Sequence, residues 1–288
     1  MEILLISNRP KKWTTIIEKH TQGDRLHVFD KNFDGDFYEY DVSIIDVDNP
    51  VLVEDSLKDG VPVLLTNHTI YSLEKLRLFY DLASHTHTTL INAPNFIFSE
   101  TYTNMIKALA ELESIYHIDI RNNNPYVDKD TSVLWTSGKE ALSVLISLVE
   151  RLPDYQVING LGFDDPRNKD WLTLNMYFED DEDDFVGSAN VFISRLGTEQ
   201  DNEINIFGKK GRVVCRPLHK EVVWKDLDGK PHTKISTATI TWDECMFKFF
   251  LENHKDPDIN GQLGMYVSEL ATKIQELFYE QENMILED

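Results

Sequence analysis

The chain has 288 residues, enough for roughly two domains, and its 50 acidic against 28 basic residues give a formal net charge of −22. That surplus of carboxylates argues against a broad nucleic-acid surface and against an anionic membrane surface, since both need clustered Lys and Arg. Hydrophobic residues at 41% and aromatic residues at 11% supply a sizeable core and make disorder an unsuitable reading.

From the N-terminus, Glu2–Ser7 is a compact β-rich run, and Pro10 suits the first turn of a helix carried by Trp13, Ile16 and Ile17. Arg25–Phe29 alternates like a strand that ends at Asp30, and Val42–Val47 is an apolar strand stopped by Asn49-Pro50. Leu52–Leu57 predicts a short helix closed by Gly60, and Val61–Leu65 another strand. Tyr71–Ala83 has the apolar spacing of a helix, and Thr88–Ile91 adds a strand. This alternation predicts a parallel sheet covered by helices over residues 1–92.

Residues 93–288 have a different character. Thr101–Leu112 and Lys139–Leu152 are helical by period. Trp171–Phe178 then alternates with Leu172, Leu174, Met176 and Phe178 on one face, and Phe185–Ser194, Glu203–Phe207, Arg212–Arg216 and Glu221–Trp224 continue as strands. Helices at Trp242–Asn253 and Gly261–Glu282 close the chain, the last of them a candidate to pack back on the first domain. The pattern predicts an α+β domain with an open, mostly antiparallel sheet. Trp171, Tyr177, Phe192 and Trp224 give its outer face aromatic anchors suited to an interface.

Only Cys215 and Cys245 are present, so a disulfide framework and a four-cysteine zinc site are excluded and a reducing compartment is expected. The opening MEILLISNRPKKW reads as a strand, not a signal peptide, and no apolar run approaches the ~18 residues of a membrane span. The Asn67-His68-Thr69 glycosylation pattern is therefore read as accidental, and the expected location is the cytoplasm.

The order of the elements resembles the glucose–fructose oxidoreductase/inositol dehydrogenase (Gfo/Idh/MocA) family over nearly the whole chain. Asp41–Asn67, DVSIIDVDNPVLVEDSLKDGVPVLLTN, is similar to that family's strand, Pro-Asn turn, short helix, glycine and strand leading to a Glu-Lys-Pro motif. Glu203–Val214, EINIFGKKGRVV, resembles its I-x-G-x-x-G-x-(L/V) hairpin. The resemblance implies a shortened Rossmann-like α/β domain followed by a substrate and oligomerisation domain. It also implies NAD or NADP as cofactor, a small polar or sugar-like substrate and a homo-oligomer formed through the second sheet.

The family's chemical motifs are replaced here. A dinucleotide loop uses glycines for its tight turn and close backbone approach, whereas this loop reads Ser7-Asn8-Arg9-Pro10-Lys11-Lys12. Arg9, Lys11 and Lys12 could hold a phosphate by charge at a helix N-terminus, or form a solvated basic turn. Asp30 stands where a ribose-binding carboxylate belongs and is also ordinary turn chemistry. Asn49, in the turn before the short helix, completes the cofactor-binding candidates. The Glu-Lys-Pro positions are Thr66, Asn67 and His68, so the family's lysine is an asparagine that cannot titrate. In Leu134–Ser143, LWTSGKEALS, the family's histidine position falls on Glu140, with Lys139 one residue away.

The candidate acid–base group is therefore His68 or Glu140, with Asn67, Lys139 and Tyr102 orienting. The bland alternative makes His68 a strand cap and Glu140 a first-turn carboxylate favoured by the helix dipole. His85 and His87 could share a metal only if His68 or Glu100 closed in, and the acidic run Glu179–Asp184 lacks the spacing of a calcium loop, so no metal is expected. Two readings follow: a divergent NAD(P)-dependent oxidoreductase, or a non-catalytic binding, regulatory or partner protein that binds no cofactor.

Overall fold

Four of the six residues of Glu2–Ser7 (β1) are consecutive large apolar side chains, the pattern of a strand covered on both faces. In the computed structural model Ile3, Leu4, Leu5 and Ile6 are each wholly buried. The structure describes residues 1–66, 71–92, 95–127, 129–162, 169–178, 185–235, 240–256 and 263–286. It forms two units, Met1–Phe98 with Ile240–Met265, and Ser99–Thr239 with Tyr266–Asp288.

In the first unit β1 is flanked by Arg25–Phe29 (β2) and Val42–Asp46 (β3), followed by Val63–Leu65 (β4) and Leu90–Ile91 (β5). The five strands are parallel in the order β2-β1-β3-β4-β5. Helix Pro10–His20 (α1) packs Trp13 and Ile17 onto Ile3, Leu5 and Ile44, and Met246, Phe247 and Phe250 of Trp242–Asn253 (α6) join that face. Pro50–Lys58 (α2) and Leu73–His85 (α3) bury Leu52, Val53, Leu76 and Phe79 on the opposite face, against Leu4, Ile6 and Ile45. The helices that follow β1 and β3 thus leave on opposite faces of the sheet, which opens a crevice between the C-terminal ends of those strands. Strand β5 begins at Leu90, two residues later than the alternation predicts, because Thr88 still donates its N–H to Ala83 O at the end of α3.

The second unit holds Glu100–Leu109 (α4), Ile115–Asn123 (β6), Lys139–Val149 (α5), Tyr155–Leu161 (β7), Trp171–Tyr177 (β8) and Phe185–Ser194 (β9). Asp201–Gly208 (β10), Gly211–Arg216 (β11), Glu221–Asp226 (β12) and Pro231–Ile235 (β13) complete its sheet. The strand order is β13-β12-β11-β10-β6-β9-β8-β7, antiparallel except for the parallel pair β6–β9. Most of Leu263–Leu286 (α7) also belongs to this unit. Three strands, β6, β7 and β13, were not legible as strands. In β7 the pattern is inverted: Tyr155, Val157 and Leu161 are exposed, while Gly160 faces α7 so closely that a Cβ there would lie 3.2 Å from the Phe278 ring.

Ile118, Leu174, Val191, Ile206 and Val213 build the helix-covered face of this sheet. Trp171, Tyr177 and Phe192 lie on the other face, but Trp224 does not. It pairs with Val213 across β11 and β12 and so shares the covered face, where the expected anchor position is corrected. On the outer face Arg216 bridges Glu203 and Glu221 at 2.8 Å each, and Tyr155 stacks on Tyr177 with centroids 4.5 Å apart. Cys215 and Cys245 are buried and are not joined in a disulfide. Among the described residues no helix is long and apolar enough to cross a membrane.

Candidate functional site

Two clusters stand where functional groups belong on such a fold: the crevice between β1 and β3, and the head of α5. In the crevice Ser7 ends β1 directly opposite Asp46, which ends β3. Ser7 Oγ donates to Asp46 Oδ2 at 2.9 Å, and Thr66 Oγ1, just past β4, donates to Asp46 Oδ1 at 2.7 Å. A hydroxyl–carboxylate–hydroxyl chain therefore runs across three strand ends. Ser7 Oγ also accepts from the Arg9 N–H at 3.0 Å, tying the β1–α1 turn to the same chain.

The other first-unit candidates are distributed around this chain. Asn8, Arg9 and Lys11 are exposed, whereas Lys12 forms a 2.6 Å ion pair with Asp243 of α6. Asp30 accepts the Asn32 N–H at 2.8 Å, an Asx turn that leaves the carboxylate exposed. Asn49 is the N-cap of α2: it accepts from Val51 N at 3.2 Å and donates to Lys31 O at 3.4 Å. Pro10 and Pro50 each take the first turn of their helix, so neither offers an N–H there. The turn has no glycine, a helix start with reduced donors and a carboxylate across from it. These residues do not fit the glycine-lined cradle of a dinucleotide pyrophosphate.

At the second cluster Leu134–Gly138 forms a turn of π-helix that runs into α5, a local widening often found at functional sites. It delivers Lys139 to the helix start 4% exposed, with Nζ 5.0 Å from the Trp135 ring centroid. Burial pushes the Lys139 amine down to about 8. Its neighbour Glu140 has its carboxyl raised by burial, against which the Asn122 amide, 3.3 Å from Oε2, acts. Asn122 Nδ2 also donates to Ser137 O at 3.2 Å, and Ser137 Oγ is buried with no hydrogen-bond partner. Trp135 Nε1 donates to Gln275 Oε1 of α7 at 2.6 Å, and one turn further along α7 the Phe278 ring lies under Lys169 Nζ at 4.9 Å. Arg195 pairs with Asp170 at 2.6 Å and donates to Thr131 O at 2.9 Å. Lys139, Lys169 and Arg195 are all under a tenth exposed, an unusual burial of cations in so acidic a chain.

Lys139 and Glu140 are consecutive at the start of α5, and their side chains meet different groups, Trp135 and Asn122. Tyr102 lies elsewhere: its hydroxyl donates to Ser147 at 2.7 Å, two turns or about 12 Å down α5 from Lys139. Asn67 and His68 lie outside the described residues, as does the acidic run Glu179–Asp184. His85 Nδ1 is 2.7 Å from Asp81 O and Glu100 is exposed on α4; no group of three or more metal-ligating side chains occurs among the described residues.

Sequence reasoning missed Asp46, Asn122, Trp135 and the buried Lys169 and Arg195. For Asp46 a signal existed: an aspartate closing an otherwise apolar parallel strand sits at the edge where ligands bind. The buried cations gave none, because their burial depends on contacts from remote segments.

No protein-family model and no curated protein sequence matches the chain. Solved structures do. UDP-N-acetylglucosamine 3-dehydrogenase from Acidithiobacillus ferrooxidans superposes with a TM-score of 0.78 at 14% identity, over 96% of both chains. A Gfo/Idh/MocA family oxidoreductase from Vibrio cholerae gives 0.74 at 12% identity, over 98% of this chain and 99% of that one. An oxidoreductase from Agrobacterium radiobacter, solved in complex with NAD+, L-tartaric acid and magnesium, gives 0.74 at 12% identity over 94% of each. The chain has the fold of the Gfo/Idh/MocA-type oxidoreductases, with a Rossmann-like parallel sheet in one unit and a mostly antiparallel sheet in the other.

Proposed function

We propose that the chain binds a small polar or sugar-like molecule through its second unit, with Lys139 and Glu140 as the groups that engage it. The observation that carries this reading is a buried amine held at about 8 beside a carboxyl that burial raises, at the head of a helix opened by a π-turn. The amine can donate to a hydroxyl and pass a proton near neutrality, and the carboxyl, on a neighbouring face of the helix, can hydrogen-bond a hydroxyl in either protonation state. Thermal-shift and calorimetric titrations with myo-inositol, glucose and glucuronate test it. The expected result is stabilisation of the native protein by at least one of them, lost in Lys139→Met and in Glu140→Gln, each of which retains a cooperative melt. Equal stabilisation of native protein and variants would remove these two residues from the site.

The second reading is an NAD(P)-dependent oxidoreductase, with Arg9 and Lys11 at the cofactor phosphate and Asp30 at the ribose. It is favoured by the same amine, whose pKa suits proton transfer, and by the NAD+ complex of the Agrobacterium radiobacter neighbour. The bound group would supply hydride transfer; the chain's own part would be proton movement at Lys139 Nζ. The crevice geometry weighs against this reading, so no hydride step is derived from it.

A homo-oligomer through the outer face of the second sheet belongs to the same proposal. Trp171, Tyr177 and Phe192 provide aromatic area, and Arg216 between two glutamates keeps that part of the face from carrying the protein's full negative charge. A monomeric mass by light scattering at micromolar concentration would refute it. Two buried cysteines without a disulfide agree with a cytoplasmic setting.

A further inference from the structure

We infer that the crevice between β1 and β3 excludes the pyrophosphate of a dinucleotide, so that the first unit keeps a nucleotide-binding-type sheet without that task. For the strand order β2-β1-β3-β4-β5 a dinucleotide or mononucleotide phosphate crosses the sheet edge at the β1/β3 switch point. Three conditions must hold there. The backbone must come close, the helix N-terminus must offer free N–H groups, and no fixed negative charge may face the phosphates.

The first and third conditions fail and the second is weakened, each on a different observation. Ser7, Asn8 and Arg9 put side chains where the backbone would need to be bare, and Arg9 has a negative φ of −132°, not the left-handed φ of a glycine turn. Of the N–H groups opening α1, that of Arg9 is taken by Ser7 Oγ at 3.0 Å and Pro10 has none, so the donors that no side chain caps begin only at Lys11. At α2 Pro50 has none either, and Val51's is capped by Asn49 at 3.2 Å. The centre of the crevice carries the Asp46 carboxylate, held in place from both sides by Ser7 and Thr66. Asp48 adds a second, exposed carboxylate two residues on.

The basic side chains of the turn do not reverse this. Lys12 is neutralised by Asp243 at 2.6 Å. Arg9 and Lys11 are exposed, so solvent weakens their attraction for an anion and salt screens it beyond about 10 Å. What was a donor-rich, glycine-lined edge in a dinucleotide site is here an acceptor-rich edge closed by its own hydrogen bonds. The inference does not depend on the second-unit reading, since the residues involved are all in the first unit.

Native full-length protein, confirmed folded by a cooperative melting transition, is titrated calorimetrically with NADH and with NADPH up to about 1 mM. The titration is run at about 20 mM and about 200 mM salt, with NADH emission followed in parallel. No saturable heat and no change in emission at either salt is the expected result. Heat at low salt that vanishes at high salt also supports the inference, because it marks charge attraction to Arg9 and Lys11 without a cradle. Saturable micromolar binding that persists at the higher salt would overturn it.

Discussion

Asp46, at the edge of the parallel sheet, is half-buried and accepts hydrogen bonds from two hydroxyls, whereas Lys139, at the head of α5, is 4% exposed and lies against the face of Trp135. Both are charged groups placed where the fold brings strand ends and helix starts together. The first is kept at the solvent boundary with its acceptors satisfied, a low-cost arrangement that fills its crevice. The second is desolvated far enough that its proton affinity falls, an arrangement that stability alone does not favour. A buried ionisable group with a shifted pKa is a marker of function more often than a satisfied surface carboxylate is. The contrast is the reason for placing the ligand in the second unit.

The largest expected effect comes from removing the buried amine. Lys139 has its pKa lowered from 10.5 to about 8. Between those values the unfolded chain carries a proton that the folded one has lost, so stability rises with pH across that window. Below about pH 8 both states are protonated and the full cost of burying the charge is present. At about 1.36 kcal/mol per unit it is on the order of 3 kcal/mol. Lys139→Met keeps the length of the side chain and is expected to raise unfolding free energy at pH 7 by about 2–3 kcal/mol. It should also flatten the rise between pH 8 and pH 10.5. Urea unfolding at several pH values measures both, and a less stable variant with an unchanged pH slope would break the contrast.

Asp46→Ala tests the other side. It leaves the Ser7 hydroxyl without its acceptor and Thr66 Oγ1 with only its longer bond to Ile45 O at 3.4 Å. Stranded, partly buried donors cost about 1–3 kcal/mol, lowered where water can reach them. The expected loss is therefore about 1–2 kcal/mol, with Asp46→Asn losing less because one carbonyl acceptor remains. A neutral Asp46→Ala would mean that the chain of hydroxyls is not what organises the strand ends.

These two residues also show how far the sequence could be read. The alternation through residue 92 yields the parallel sheet because the central strands are apolar on both faces, the edge strand Arg25–Phe29 alternates, and each helix has its own start signal, such as Asn49-Pro50. The run Trp171–Tyr177 yields the second sheet because its period of two is unbroken. Strand β7 was hidden because three of its apolar residues, Tyr155, Val157 and Leu161, are exposed, while on the inner face only Ile158 is apolar and buried and Gly160 takes the next inward position. Lys139 was legible as a candidate by its position beside Glu140. Its burial was not, since that comes from the π-turn and from Trp135 held by Gln275, 140 residues along the chain. Asn67 and His68 stand as sequence expectations, and Tyr102 is drawn away from the site by its bond to Ser147 on the far part of α5.

A smaller effect is expected at Glu244, which anchors α1 to α6 through Lys19 at 2.6 Å and closes a capping box with Thr241. The Lys19 ammonium first, and then the Thr241 N–H, hold its carboxyl down at about 2, against an ordinary 4.5. Its contribution is present above pH 4.5 and lost as pH falls toward 2. Glu244→Gln should cost about 1 kcal/mol at pH 7, in the range of a lost cap. It should also remove part of the acid destabilisation between those pH values, read from thermal melts in an acid series.

The smallest expected effect is at Lys12, and it bears most directly on the crevice. Its ammonium sits 2.6 Å from Asp243, yet the side chain is 59% exposed. Exposed pairs contribute about 0.2–1 kcal/mol and are screened by salt. Lys12→Ala should therefore lower stability by no more than about 0.5 kcal/mol, and by less still at about 500 mM salt. A loss above about 1.5 kcal/mol that survived high salt would mean that this pair fixes the start of α1. The glycine-free turn would then owe its shape to α6 as well as to Ser7 and Asp46. A small, salt-sensitive loss leaves the turn held by the hydrogen bonds of the crevice itself, which is the arrangement that closes the edge to phosphate while the head of α5 keeps its buried amine.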